Sequence, residues 1–480
     1  MRDNNTSSTR RSSLLPLALV APDLVVLVML PTLAVTVLLA LASLHGTQAA
    51  AVPATVFNPL PSYISRHLGP YTPWYAVGEY QAPPASCKLE QVNILQRHGA
   101  RFPTANAGKK YAASVAKLQQ NATSLASNLE FVKSYTYSLG ADTLTPLGAQ
   151  QSRQAGATAY QRYKGLLTRS RRLPLVRSDS QQRVVDSARN WTAGFFQQSG
   201  ITHLPTTQVI NNAFGSNDTL DDNNCPSAPD MSSYEKSYLS TFLDAATARF
   251  NANAPGASLT TTDVLNYMQI CGMESQYTQK LSPWCKLFSR HEFIAGEYYY
   301  DLDKYYGNGA GNALGPIQGV GYVNELLSRL TGNRSYVLAD ETQVNQTLAR
   351  SQSTFPLGAS SPGIFADFSH DNEIASILAA IGLKKPAAPL AASGPSLDQV
   401  WVTSEIVSFS GRLVTERLSC GGDDFVRFFI NDQLQIPTFC AGADSQTGLC
   451  ALDAFVESQS YARASGHGDY LKCGYKPLSA

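Results

Sequence analysis

The chain has 480 residues, 44% hydrophobic and 15% charged, with 37 basic and 36 acidic residues for a formal net charge of +1. That is enough apolar material for a large core, in one big lobe or two. No lysine- or arginine-rich block stands out, which argues against a nucleic-acid partner. No fixed-period repeat or disordered-type tract interrupts the body.

Residues 1–45 read as a signal peptide or an N-terminal membrane anchor. Arg2, Arg10 and Arg11 precede an uncharged apolar stretch, residues 24–44, broken by Pro31. About 20 apolar residues can span a bilayer. A signal peptide's apolar core is usually about 7–15 residues, so this one is long. "QAAAVPA" offers a small-residue cleavage site near Ala51. A cleaved signal and an uncleaved tether through residues 24–44 both stay open. Either way the basic flank predicts that the rest of the chain lies outside the cytosol, secreted or anchored.

Residues 46–86, rich in proline and alanine, read as an extended arm. "QVNILQ" reads as a short buried strand and "GKKYAASVAKLQQNATSLASNLEFVKSY" as one or two helices. Pro146 suits the first turn of a helix that continues through "GAQQSRQAGATAYQRYKGLL". "RLPLVRSDS" is a second strand ending on Arg177. "SARNWTAGFFQQSG" is a helix closed by Gly200. Residues 216–335 read as a tyrosine-rich helical lobe. "GIFADFSHDNEIASILAAIGL" then gives a strand, a turn and a helix with Ile374, Ile377, Leu378 and Ile381 on one face, stopped by Gly382. "VWVTSEIVSFSGRLVTERLSC" and "DFVRFFIND" are the last strands. Alternating strands and helices predict an α/β fold. Residues 87–215 and 336–480 form its larger lobe.

The eight cysteines are Cys87, Cys225, Cys271, Cys285, Cys420, Cys440, Cys450 and Cys473. An even count on the exported side predicts disulfides. No CxxC pair appears, which argues against structural zinc. Spacing alone favours only Cys271–Cys285 and Cys440–Cys450. Sequons at Asn121, Asn190, Asn217, Asn333 and Asn345 are expected surface glycosylation sites.

"VNILQRHGARFPT" puts Arg97, His98 and Arg101 at the carboxyl end of a strand, the edge where open α/β sheets bind ligands. A guanidinium grips a phosphate with a planar fork and keeps its charge. A neutral imidazole between two of them could attack phosphorus. "FSHDN" puts His370 and Asp371 after another strand, at the start of a helix. An aspartate beside a bound phosphate has a raised pKa and could protonate a leaving alkoxide. It also suits a helix cap. His370 would stabilise the equatorial oxygens. Arg177, just past its strand, would add a third clamp. "GNGAGN" follows no convincing strand and lacks a Walker lysine, so a nucleotide site is weak.

"RHGARFPT" with a later "SHDN" resembles the histidine acid phosphatase family, in particular its fungal phytase-like branch. "LTPLG", "KYYGNGAGNALGPIQGVGYVNELLSRLTG", "FADFSHDN", "VRFFINDQ" and the cysteine pattern extend the likeness from about Leu68 to the C-terminus. The resemblance implies an α/β lobe, its central sheet mostly parallel, beside a smaller helical lobe, with the site between them. It implies His98 as the phosphorylated nucleophile and Asp371 as proton donor. Arg97, Arg101, Arg177 and His370 would clamp phosphate. Thr104 matches the closing threonine, and Lys304 a lysine at the substrate mouth. It implies Cys87–Cys420 and Cys225–Cys473 beside the two short loops, and no metal or other cofactor. Two departures stand out. Ala107 occupies a position where such phytases usually carry lysine, with Lys109 and Lys110 nearby, and Pro70 replaces a residue that is commonly polar.

The expected activity is therefore an acid phosphatase outside the cytosol, acting on small phosphomonoesters including phytate (myo-inositol hexakisphosphate). The alternatives are a broad-specificity phosphatase not adapted to phytate and a membrane-tethered phosphate-binding protein without turnover. Oligomeric state is not legible.

Overall fold

The computed structural model describes residues 58–213 and 215–474. The apolar stretch 24–44, the cleavage site near Ala51 and the first part of the arm lie outside the described residues. Among the described residues no helix is long and apolar enough to cross a membrane.

One sheet organises the chain. Its strands are β1 (Cys87–Arg97), β2 (Leu175–Asp179), β3 (Gln208–Ile210), β4 (Ile364–Ser369), β5 (Arg412–Cys420), β6 (Asp423–Ile430), β7 (Gln433–Gln435) and β8 (Cys450–Ala451). They lie in the order β3-β2-β4-β1-β5-β6-β7, with β8 paired to β6. The run from β3 to β1 is parallel, and β5 to β8 continue it antiparallel. The expected α/β class is the one observed. β1 is buried throughout from Gln91 to Arg97, and β4 along its whole length. That is the pattern of central strands covered on both faces.

The longer helices are α1 (Ala105–Asn121), α2 (Pro146–Ser170), α3 (Gln182–Phe196), α4 (Ser233–Asn253), α5 (Thr261–Thr278), α6 (Arg290–Gly307), α7 (Val320–Thr331) and α8 (Asp371–Ile381). Thr145 caps α2, with Pro146 in its first turn as expected. Ser289 and Glu292 form a capping box on α6. α8 buries Ile374, Ile377, Leu378 and Ile381 and stops at Gly382 in the left-handed region.

The structure corrects several boundaries. β2 runs past Arg177 to Asp179. α3 begins at Gln182 and ends at Phe196, so Gly200 closes the following turn and not the helix. In residues 400–420 only the part from Arg412 is strand, and Thr403–Ile406 is a helical turn. The arm is more than a cover, because Leu60, Ile64 and Leu68 are buried in the main core. Each such side chain contributes about 1.5–3 kcal/mol when fully buried.

Four disulfides form: Cys87–Cys420, Cys225–Cys473, Cys271–Cys285 and Cys440–Cys450. These are the two pairs favoured by spacing and the two implied by the resemblance. Cys87 and Cys420 face each other across the β1–β5 ladder.

Candidate active site

β1 and β4 are parallel neighbours, with Arg97 level with Ser369. The turns that follow them therefore open side by side. The His98 N–H donates to the Ser369 carbonyl at 3.1 Å, and the Ser410 N–H donates to the His98 carbonyl at 2.9 Å. The His98 and His370 rings lie 5.7 Å apart. His98 Nδ1 is 2.9 Å from the Gly99 carbonyl oxygen. A carbonyl only accepts, so Nδ1 carries the hydrogen and Nε2 keeps its lone pair. Burial, then Arg97, Arg183 and Arg101, push His98 well below the ordinary histidine value. The imidazole is neutral.

Arg97 is fully buried. Its Nη1 donates to the carbonyls of Pro70 and, at 2.6 Å, Val407. Its guanidinium stacks 4.7 Å from the centre of the Phe409 ring. Nη2 lies 3.3 Å from Asp371 Oδ2 without hydrogen-bond geometry, and Nε is likewise unpaired. Burial lowers Arg97 to about 10, so it remains a cation at any working pH. The Pro70 contact runs through its backbone, so the loss of a polar side chain there leaves Arg97 seated. Arg101 spends Nη1 on the Phe102 carbonyl at 2.9 Å and keeps a buried, unpaired Nε.

The loop between these arginines is fixed from three sides. The Gly99 N–H donates to Ser187 Oγ at 3.0 Å and the Ala100 N–H to Gln151 Oε1 at 3.0 Å. Thr145 Oγ donates to the Ala100 carbonyl at 2.9 Å. Gly99 and Gly148 press so closely that a methyl on either would lie on the other segment's backbone. Ser187 in turn donates to the Arg183 carbonyl at 2.7 Å. This sets the first turn of α3 beside the loop. Arg183 has a buried, unpaired Nε. Burial and Arg101 lower its pKa.

Arg177 is not at the site. Its Nε donates to Asp367 Oδ1 at 2.7 Å, and Nη1 and Nη2 donate to Glu325 at 2.9 and 2.6 Å. It sits within β2, level with Asp367, because the strand continues two residues beyond it. Its fork is spent on two buried carboxylates, so the donor expected there does not reach the site, and Arg183, six residues on, is the arginine that keeps an unpaired Nε beside the loop. Residues missed in the sequence include Arg183, Gln151 and Ser187. The available signal was a polar stretch after a strand that opens a helix.

His370 Nε2 lies 3.0 Å from Asp179 Oδ1. Burial lowers its pKa, but Asp222 and Asp179 outweigh burial and the value is raised. Asp371 opens α8. Its Oδ2 is 3.1 Å from Lys304 Nζ as well as near Arg97. Burial raises its pKa, yet the permanent charges of Arg97 and Lys304 outweigh burial and hold it well below the carboxylate range. The protein's own charges thus act against the rise expected for this aspartate. Lys304, in the last turn of α6, also donates to Asn372 Oδ1 at 2.7 Å. Thr104 caps α1, its Oγ accepting the Ala107 N–H at 3.3 Å. Lys109 and Lys110 are exposed on that helix.

Residues 88–431 match the model of the histidine phosphatase superfamily (branch 2). The chain is 38% identical over 434 residues to Phytase A of Aspergillus awamori, covering 85% of this chain and 90% of that protein. It is 34% identical over 464 residues to Phytase A of Arthroderma benhamiae, covering 92% and 98%. The phytase from D. castellii shares the fold with a TM-score of 0.69 at 23% identity, covering 87% of this chain and 88% of that one. The chain therefore belongs to the histidine phosphatase superfamily, branch 2. It is a phosphoric monoester hydrolase of the histidine acid phosphatase type, which sets aside a binding protein without turnover.

Proposed function

We propose that this enzyme hydrolyses phosphomonoesters, phytate among them, through a phosphohistidine on His98. The observation that carries the reading is a neutral His98 whose Nε2 lone pair is free, set among arginines with unspent donors. Arg97, Arg101 and Arg183 hold the phosphate. Nε2 attacks phosphorus, an N–P bond forms and the P–O ester bond breaks. The leaving alkoxide takes its proton from Asp371. Water then attacks the phosphohistidine, giving its proton to Asp371, and inorganic phosphate leaves. His370, kept charged by Asp222 and Asp179, steadies the equatorial oxygens.

Asp371 is pulled down by Arg97 and Lys304. A phosphate dianion offsets those cations and adds like charge, which raises Asp371 towards protonation in mild acid. The rate with a simple aryl phosphate should therefore fall between about pH 5 and pH 8. A steady rise across that range would refute Asp371 as the acid. His98→Ala should abolish turnover, and unchanged activity would refute the nucleophile.

Relatives named Phytase A support phytate as a substrate. Ala107 favours the second reading, a broad-specificity acid phosphatase. Phosphate release from phytate and from an aryl phosphate, at mildly acidic pH with a chelator, separates them. Release from both means that Lys109, Lys110 or Lys304 supplies the missing cation. Release from the aryl ester alone means another natural substrate. The same reading places the catalytic part outside the cytosol, supported by four disulfides and by exposed sequons at Asn121 and Asn333. It also divides the body into an α/β lobe, residues 87–215 and 336–480, and a helical lobe, residues 216–335.

A further inference from the structure

A cavity of about 510 Å³ lies between the arm and α2, walled on its third side by Arg412 and Asp432. Its size falls within the range of small-molecule sites, about 300–1,000 Å³. None of His98, Arg97, Arg101, Arg183, His370 or Asp371 lines it. Gln151 does, and its Oε1 also accepts the Ala100 N–H, so the cavity backs onto the phosphate loop from outside the cleft.

The charges in its wall do not cancel. Asp432 is held in the fork of Arg162 at 2.6 and 2.8 Å. Arg412 is 6% exposed, and among the described residues its guanidinium has neither an acceptor within hydrogen-bond distance nor an ion-pair partner. It stacks 4.2 Å from the centre of the Trp74 ring. Arg66 stands at the mouth, 4.8 Å over Tyr75. The nearest anion to Arg412 is Asp432, whose two oxygens are already taken by Arg162. A buried guanidinium that shares its anion in this way is costly, and an aromatic face repays only part of that cost. Leu60, Pro73 and Trp74 make much of the remaining wall apolar.

We propose that this cavity is a second ligand site, binding a small organic anion whose carboxylate or phosphate head pairs with Arg412 while its apolar body lies against Trp74 and Leu60. The site is independent of the reaction assigned above, and binding can be read without turnover.

Trp74 reports on it, because the other three tryptophans, Trp191, Trp284 and Trp401, are at most 1% exposed. The full-length, disulfide-bonded protein would be titrated with phenylphosphonate and with phenylacetate, and the Arg412→Gln variant, which leaves the catalytic cradle intact, separates binding here from binding there. Saturable fluorescence quenching at one site is expected with at least one probe. Quenching by phenylphosphonate alone assigns a phosphate-type head, by phenylacetate alone a carboxylate, and by both a site that reads charge only. Arg412→Gln should weaken binding by about tenfold or more, the loss expected for one charge-assisted hydrogen bond. Either no saturable quenching or an unchanged affinity in Arg412→Gln would overturn the proposal. Should Arg412→Gln fail to fold, Ala76→Phe, at an exposed rim position, narrows the cavity with Arg412 in place and is read by the same criterion.

Discussion

Two arginines six positions apart in sequence have opposite fates, and the difference is a testable one. Arg177 is locked to Asp367 and Glu325 inside the protein, while Arg183 keeps an unpaired donor beside His98. Arg183→Ala should leave the thermal midpoint nearly unchanged. It should lower kcat/KM for an aryl phosphate by about 100-fold or more, the usual loss when one transition-state donor is removed. Arg177→Ala should leave buried Glu325 without its cation and Asp367 with Arg329 alone, and cost about 3–5 kcal/mol of stability. Thermal unfolding and steady-state kinetics on the two variants check both outcomes, and a folded Arg177→Ala with a selective kinetic defect would reverse the assignment. The sequence made Arg97, His98, Arg101, His370 and Asp371 legible because each lies at the end of a strongly apolar strand or in the turn that follows it. It misplaced the third arginine because β2 is short, and the side chain at its end depends on where the ladder to β4 stops. That point is set by tertiary pairing and not by local composition.

At the level of elements, α6 seats Arg97 through two segments packed against it. Glu297 Oε2 accepts the Gly69 N–H and Oε1 the Ser404 N–H, both at 2.8 Å. Asp301 Oδ1 accepts the Thr403 N–H at 2.6 Å. The two segments so anchored supply the Pro70 and Val407 carbonyls that seat Arg97. Gly69 adopts φ +52°, and a Cβ there would lie on the Tyr300 ring. Gly69→Ala should therefore cost more than the roughly 1–2 kcal/mol of a left-handed residue, and it should lower kcat/KM as Arg97 shifts. Gly358→Ala is the control. Its φ is +58° with nothing within 4 Å of the added methyl, so it should lose stability with kcat/KM intact. Equal kinetic effects in the two variants would refute the link from arm to Arg97. The helix-start signals at Pro146 and the apolar face of α8 were readable because they are local. The burial of the arm was not, since its three anchoring side chains are spread through proline-rich chain and acquire meaning only against the core they meet.

Across the whole molecule, buried acids set a pH preference. Burial pushes Asp218, Asp301 and Glu373 well above their ordinary values, Glu297 to about 7 and Asp221 to about 6. A carboxyl whose folded pKa is raised binds more protons folded than unfolded, so stability declines as pH climbs from its unfolded value through its folded one. Groups held low act in the other direction. Burial raises Asp367, but Arg177 and Arg329 overcome it and hold it below its ordinary value. Its stabilisation is lost only as pH falls below about 4. The thermal midpoint should therefore peak in mild acid, near pH 4.5–5, and fall steadily towards pH 8. A midpoint that rises to pH 8 would contradict this balance. Composition showed only a net charge of +1. Which acids are buried near one another is a property of the fold.

The central position of β1 also constrains the order of events during synthesis. It emerges early, yet its partners β4 and β5 come from the last third of the chain, and the Cys87–Cys420 bond closes a separation of 333 residues. At about 5–20 residues per second, the ribosome leaves this apolar strand without its flanking strands for a time on the order of tens of seconds. Until β4 arrives, the nascent chain exposes an apolar strand of the kind that aggregates unless it is covered. A chain released short of β4 would carry His98 with no Asp371 to answer it.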